Sequence, residues 1–257
     1  MRIVSANLNG IRAAQRKGFF EWMLARNIDV LCIQETKAQE DQLGADHFHP
    51  AGYYRYFHDA QKKGYSGVAI YCRKKPDQVI KGLGWPDFDA EGRFIQADFG
   101  RLSVISLYLP SGSASEVRQA AKFDFMARFT PLLEAFREDG RDYIICGDWN
   151  IVHKEIDIKN WKSNQKNSGC LPEERAWLDQ VFGPMGYVDA FRVVNQASHQ
   201  YTWWSNRGQA WANNVGWRID YQVVTPALKA RVKAAEIYKD ERFSDHAPLI
   251  IDYDYTL

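Results

Sequence analysis

Cysteine is scarce in this chain. Its 257 residues include only Cys32, Cys72, Cys146 and Cys170, with no C-x-x-C spacing, which argues against a disulfide scaffold and a thiolate metal cluster. Thiols inside apolar runs behave as small hydrophobes, so these are expected to be reduced core residues of a cytosolic protein. An excess of one charge is also missing. The 33 Lys and Arg offset 32 Asp and Glu for a net charge of +1, a balance that by itself selects no partner. No apolar run approaches the roughly 18 residues needed to cross a bilayer, and Met1–Asn7 reads as a strand rather than a leader. Repeats, Ser/Gly/Pro-rich linkers and like-charge tails are absent too. One monomeric domain spanning 1–257, without membrane association, is the expectation.

What the chain does have is apolar material: 46% hydrophobic and 14% aromatic residues. A chain of this length buries roughly 70–75% of its unfolded surface, enough for a sizeable core. Strand-like runs recur at Arg2–Asn7, Asp29–Gln34, Ser66–Arg73, Arg93–Phe99, Leu102–Leu109, Asp142–Cys146, Trp217–Val224 and Pro248–Tyr253. Helical stretches lie between them. Gly18–Arg26 carries one apolar face. Ser115–Arg137 opens with a capping Ser and has Phe125, Phe129 and Leu133 on one stripe, and Pro172–Phe182 starts with Pro172, Glu173 and Glu174. Strands interleaved with helices predict an α/β layered sandwich.

Polar groups at the ends of the apolar runs carry the most information. Asn7, Glu35, Tyr108, Asp148 and Asn150 stand at run exits, whereas Asp220 and the Asp245-His246 pair stand at run entrances. If these groups meet at one edge, the two sets of strands run in opposite directions, and the sheets are mixed. No G-x-G-x-x-G or P-loop pattern points to a nucleotide cofactor. With Asn9, the set is rich in oxygen donors and poor in nitrogen and sulfur, which suits Mg²⁺ or Mn²⁺ and not Zn²⁺. Glu35 would hold the ion. Asp148 would deprotonate or position a water that Asn150 orients, and a charged His246, steadied by Asp220 or Asp245, would face a phosphoryl group. Each residue alone has an ordinary reading as a cap, a turn former or a core polar group. Their recurrence at strand ends is what points to metal-assisted phosphoester hydrolysis.

Ten segments then appear in a recognisable order: S-A-N-L-N-G-I-R-A (5–13), C-I-Q-E-T-K (32–37), G-Y-S-G-V-A (64–69), E-G-R (91–93), S-L-Y-L-P-S-G (106–112), C-G-D-W-N-I (146–151), N-S-G-C-L-P-E-E-R (167–175), Y-T-W-W-S (201–205), V-G-W-R-I-D-Y (215–221) and F-S-D-H-A-P (243–248). Together they resemble the exonuclease III family of abasic-site (AP) endonucleases, within the endonuclease/exonuclease/phosphatase superfamily. The resemblance implies a four-layer α/β sandwich of two packed mixed sheets flanked by helices. It also implies cleavage of the phosphodiester 5′ to an abasic site in duplex DNA, leaving a 3′-hydroxyl, with 3′-phosphatase, 3′-phosphodiesterase and 3′-5′ exonuclease side activities. By the same resemblance Glu35 is the principal metal ligand, with Asn7, Asn9 and Asp245 near the ion. Asp148 and Asn150 are the water-activating pair, Tyr108 a phosphate or leaving-group contact, and Asp220 the partner of His246. Asn9 stands where some members carry Asp.

The resemblance also implies that Trp203, Trp217 and Ile219 wall a recess for a sugar lacking its base. A flipped abasic residue is small and cheap to extrude, so a tight recess admits it and excludes an intact nucleotide. The DNA-facing surface is expected to draw on Arg12, Lys17, Lys62, Lys63, Tyr65, Lys162, Lys166, Asn167 and Arg207, mainly through phosphates. A rival reading is a superfamily phosphoesterase for a small or lipid phosphate, against which the tryptophans and the N-S-G segment argue.

Overall fold

The apolar runs become two six-stranded sheets in the computed structural model, which describes residues 1–257. Sheet one has the order β13 (Val232–Ile237), β14 (Leu249–Tyr253), β1 (Arg2–Asn7), β2 (Val30–Gln34), β4 (Val68–Cys72) and β3 (Tyr54–His58). Sheet two has the order β5 (Gln78–Lys81), β6 (Phe94–Phe99), β7 (Leu102–Tyr108), β8 (Asp142–Asp148), β12 (Asp220–Val224) and β9 (Val188–Asp189). A short ribbon pairs β10 (Trp203–Trp204) with β11 (Gly216–Trp217). In each large sheet one central pair is parallel, β1 with β2 and β7 with β8, and the other pairs are antiparallel. Both sheets are therefore mixed.

The helices are α1 (Ile11–Gln15), α2 (Phe19–Ala25), α3 (Pro86–Asp89), α4 (Glu116–Glu138), α5 (Trp161–Asn164), α6 (Pro172–Phe182) and α7 (Ala190–Val194). Burial sorts them into layers. The seam between the sheets is an apolar cluster that includes Cys32, Ile70, Val104, Ile144, Cys146 and Leu249. A second cluster packs α1 and α2 on the outer face of sheet one, and a third packs α4 and α6 on the outer face of sheet two. Helix, sheet, sheet and helix make the four layers. Strands β2 and β4 are buried at every position, as expected for central strands covered on both faces. All four cysteines are buried and free, and no helix is long and apolar enough to cross a membrane.

Local chemistry explains the element ends. Ser115 caps α4 by accepting the Arg118 N–H at 3.2 Å, and Pro172 occupies the first turn of α6, where its missing N–H costs nothing. One expectation is corrected. Trp217–Val224 is not a continuous strand, because Arg218 and Ile219 leave the ladder between β11 and β12. Arg218 turns inward to Asp157 (2.8 Å) and Asp189 (2.7 Å), a buried ion-pair cluster that bends the chain here.

Candidate active site

Strand register brings the polar residues to one rim. In sheet two Tyr108, Asp148 and Asp220 lie in a row, since β7 and β8 pair Tyr108 with Asp148 and β8 and β12 pair Asp148 with Asp220. Parallel neighbours reach the rim at their exits, and the antiparallel β12 reaches it at its entrance. In sheet one β1 and β2 exit at Asn7 and Gln34, with Glu35 next, and β14 begins just after His246. The backbone bends sharply past these exits. Asn9 (φ 46°) and Asn150 (φ 53°) adopt the left-handed conformation that Asn tolerates, and Glu35 (φ 52°) adopts it against the preference of its residue type. A strained residue such as Glu35 is typical of places where a side chain must be aimed at a site.

Asn7 ties the two sheets together. Its Nδ2 donates to Glu35 Oε1 and to Asp148 Oδ2, each at 2.9 Å, while its Oδ1 accepts the Asn9 N–H at 3.0 Å. His246 Nδ1 stands 2.9 Å from Asp220 Oδ2, and its Nε2 lies 3.8 Å from Asp148 Oδ2. The partner that the sequence left open between Asp220 and Asp245 is thus Asp220. Burial disfavours a charged imidazole, but the carboxylates of Asp220, Asp148 and Asp245 outweigh it and raise the His246 pKa to about 10. Burial first, then the Asp220 charge, pushes Asp148 up to about 8. Burial and the Glu35 and Asp148 carboxylates raise the Tyr108 phenol, which remains a neutral donor.

Asp245 is held differently. Against the effect of burial, the His246 charge and hydrogen bonds from Trp203 Nε1 and Asn9 Nδ2, both 3.0 Å, keep its carboxyl below the usual range. Lys37 Nζ lies 2.9 Å from Glu35 Oε2 and 2.5 Å from Asn9 Oδ1. Glu35, Asp148 and His246 present ligand-type atoms within 4.8 Å of one another. With His246 protonated toward Asp220, the usable donors are carboxylate oxygens, and that set fits a hard divalent cation. Four acids, Glu35, Asp148, Asp220 and Asp245, gather at this rim, with Lys37 paired to Glu35 and His246 to Asp220.

A cleft of about 1030 Å³ opens onto this rim. Glu35, Tyr108, Asp148, Asn150, Asp245 and His246 line it together with Trp203, Trp217, Ile219, Lys166, Asn167 and Arg207. The Trp203 and Trp217 rings meet edge to face at 5.8 Å, and Ile219 packs in the same small apolar cluster. Asn7 and Asp220 are buried behind the lining. Arg12, Lys17, Lys62, Lys63, Tyr65 and Lys162 lie outside it. Lys62 stacks instead over the Tyr65 ring at 5.5 Å.

Residues 4–246 match the Endonuclease/Exonuclease/phosphatase family. The chain belongs to that family. It is 37% identical over 254 residues to an exodeoxyribonuclease of Bacillus subtilis, a match that covers 97% of this chain and 98% of the relative. Among solved structures it resembles an AP endonuclease from Archaeoglobus fulgidus, with TM-score 0.87, 26% identity and coverage of 99% of this chain and 100% of that one. It also resembles the 3′ phosphatase NExo from Neisseria bound to a product DNA hairpin, with TM-score 0.89, 26% identity and the same two coverages. As a member of the Endonuclease/Exonuclease/phosphatase family the protein is a metal-dependent phosphodiesterase, of the exonuclease III and AP endonuclease type of DNA-repair nuclease.

Other side chains at this family member's site carry no role in the sequence reading. Glu91 joins Arg93 and Arg118, which both donate to the Tyr65 hydroxyl, and the Arg93 guanidinium lies 4.7 Å from the Tyr108 ring centroid. The E-G-R segment contains two of these residues, and only the fold shows what they support. Lys37 sits in the Q-E-T-K segment beside Glu35, so its neighbourhood was visible although its contact was not.

Proposed function

We propose that this protein nicks duplex DNA on the 5′ side of an abasic site, as a monomer using Mg²⁺ with Mn²⁺ as a substitute, and also clears blocked 3′ ends. One observation carries the reading: an apolar recess of Trp203, Trp217 and Ile219 opens in the same cleft as Asp148 and His246. A recess that receives a bare sugar beside a phosphoryl-handling rim matches a lesion lacking its base. A small-phosphate hydrolase has no use for that wall.

The residues divide the work. Asp148, with its proton affinity raised to near neutrality, accepts the proton of the attacking water. Asn150 uses its N–H on Asp148 Oδ1 (2.9 Å) and its Nδ2 on the Leu109 carbonyl (2.8 Å), which leaves its Oδ1 to orient that water. The His246 imidazolium, fixed by Asp220, donates from Nε2 to the phosphoryl oxygen as negative charge grows there. Tyr108 offers its hydroxyl to the same group or to the departing 3′-oxygen. Glu35, with Asp148 and Asp245 nearby, would hold the divalent cation, which neutralises phosphate charge when bound.

The test incubates purified protein and Mg²⁺ with a duplex carrying one tetrahydrofuran abasic analogue, beside an intact duplex. A nick 5′ to the analogue alone is expected. Equal cutting of both duplexes, or release of phosphate from small esters with no nick, would refute the reading.

A further inference from the structure

Lys122 of α4 and Glu174 of α6 take no part in the chemistry above, yet they form a fully buried ion pair, with Nζ 2.6 Å from Oε1. Moving two charges out of water is costly enough that apolar replacements of the same volume are often at least as stable, so stability alone does not account for such a pair. Its remaining contacts point toward the cleft. Lys122 Nζ donates to the backbone carbonyl of Asn150 at 2.7 Å. Glu174 Oε2 accepts the backbone N–H groups of Gly169 (2.6 Å) and Leu171 (3.1 Å), and its Oε1 accepts Gln119 Nε2 at 3.0 Å.

The pair therefore grips two separate pieces of the cleft wall. One is Asn150 in its left-handed conformation. The other is the 167–171 turn, which supplies Asn167, Ser168 and Gly169 to the lining. These pieces also touch each other, since Val152 N–H donates to the Gly169 carbonyl at 2.8 Å. They leave no slack against the recess. A Cβ added at Gly169, where φ is 89°, would stand 3.0 Å from the Asn150 carbonyl oxygen and 3.1 Å from the Trp217 ring. Both helices are anchored through the apolar layer outside sheet two, so the grip is referred to rigid elements and not to a loop.

We propose that Lys122 and Glu174 are positioning residues that set the separation between Asn150 and the Trp217 wall, and thereby make the recess selective for a sugar without a base. The proposal rests on the abasic reading given above. A pair that only held the fold together would affect binding to every duplex alike. A pair that sets the recess width changes the preference between duplexes.

The experiment uses the full chain as wild type, Lys122→Met, Lys122→Arg and Gly169→Ala. Dissociation constants are measured in chelator for a duplex with one tetrahydrofuran site and for the intact duplex, and kcat and KM for nicking are measured with Mg²⁺. Lys122→Met is expected to lower the abasic-over-intact binding preference by roughly tenfold, the scale of a mis-sized pocket, and Lys122→Arg to recover most of it. Gly169→Ala keeps both charged residues and displaces the turn that Glu174 holds, so it should reproduce the loss even if Lys122→Met does not fold. An unchanged preference in the folded variants, or equal weakening toward both duplexes, overturns the proposal while wild-type nicking stands. A wild type that leaves the analogue uncut removes the abasic reading itself, and this proposal with it.

Discussion

Asp148 and Asp220 are direct cross-strand partners in the antiparallel pair of β8 and β12, and the His246 ring reaches both, at 3.8 Å and 2.9 Å. Burial, and then the charge of Asp220 beside it, raise the proton affinity of Asp148, the acid facing the cleft. Asp148→Asn keeps the shape and removes the base, so cleavage should fall by about 10²- to 10⁴-fold while DNA affinity stays within a few-fold. Single-turnover nicking and fluorescence anisotropy check the two halves, and a variant that keeps its rate takes the base role away from Asp148.

Trp217 tests the recess from the other side. Its ring contacts Trp203 and lies against Gly169, so Trp217→Ala widens the wall without touching a charged group. Nicking at the tetrahydrofuran site should drop by at least roughly tenfold more than release of a 3′-phosphate, the range a mis-sized pocket contributes. Parallel assays on the two substrates decide it; equal losses contradict a lesion-specific recess.

Lys37 makes a prediction of opposite sign. Its ammonium sits 2.9 Å from Glu35 Oε2, where it repels any second cation drawn to that carboxylate. Lys37→Met should therefore tighten divalent-ion binding, by roughly tenfold if about 1.4 kcal/mol of repulsion is relieved. Calorimetric titration with Mn²⁺ in the absence of DNA measures it. Weaker binding would mean that Lys37 helps to build the ion site.

Asp157 links pH to stability. Burial acts to raise its pKa, but the guanidiniums of Arg218 (2.8 Å) and Arg192 (2.7 Å) overcome burial and hold the carboxyl at about 2, below its ordinary 3.8. A depressed carboxylate stabilises the folded state fully above its unfolded pKa, and that contribution is lost as pH falls toward the folded value. About 2 kcal/mol should therefore disappear between pH 5 and pH 2, as read from urea unfolding at stepped pH. Asp157→Asn should flatten that segment of the curve.

The parts of the fold legible in the sequence were those with strong apolar runs. All eight expected runs contain strands, because β2, β4 and their central neighbours are buried on both faces. The omitted strands are the weak ones. Tyr54–His58, Gln78–Lys81 and Val232–Ile237 are edge strands with mixed exposure, so no apolar period marks them, and the remaining three are two residues long. The rim was legible because polar residues ending apolar runs are conspicuous. Lys122 and Glu174 were not. In sequence, one is a charge on an amphipathic helix and the other an acid in a first helical turn, and only tertiary packing, across 51 intervening positions, turns both inward.

Asn7 belongs to sheet one and Asp148 to sheet two, and the 2.9 Å hydrogen bond between them crosses the seam. The polar rim is thus not a property of either half of the molecule. It exists only while the two sheets are docked on their shared apolar layer. A partly opened chain, even with one sheet intact, would separate Asn7 and Glu35 from Asp148 and is expected to lose cleavage. Loosening the seam, for instance by Ile70→Ala, should silence the enzyme at temperatures where circular dichroism still reports a folded protein.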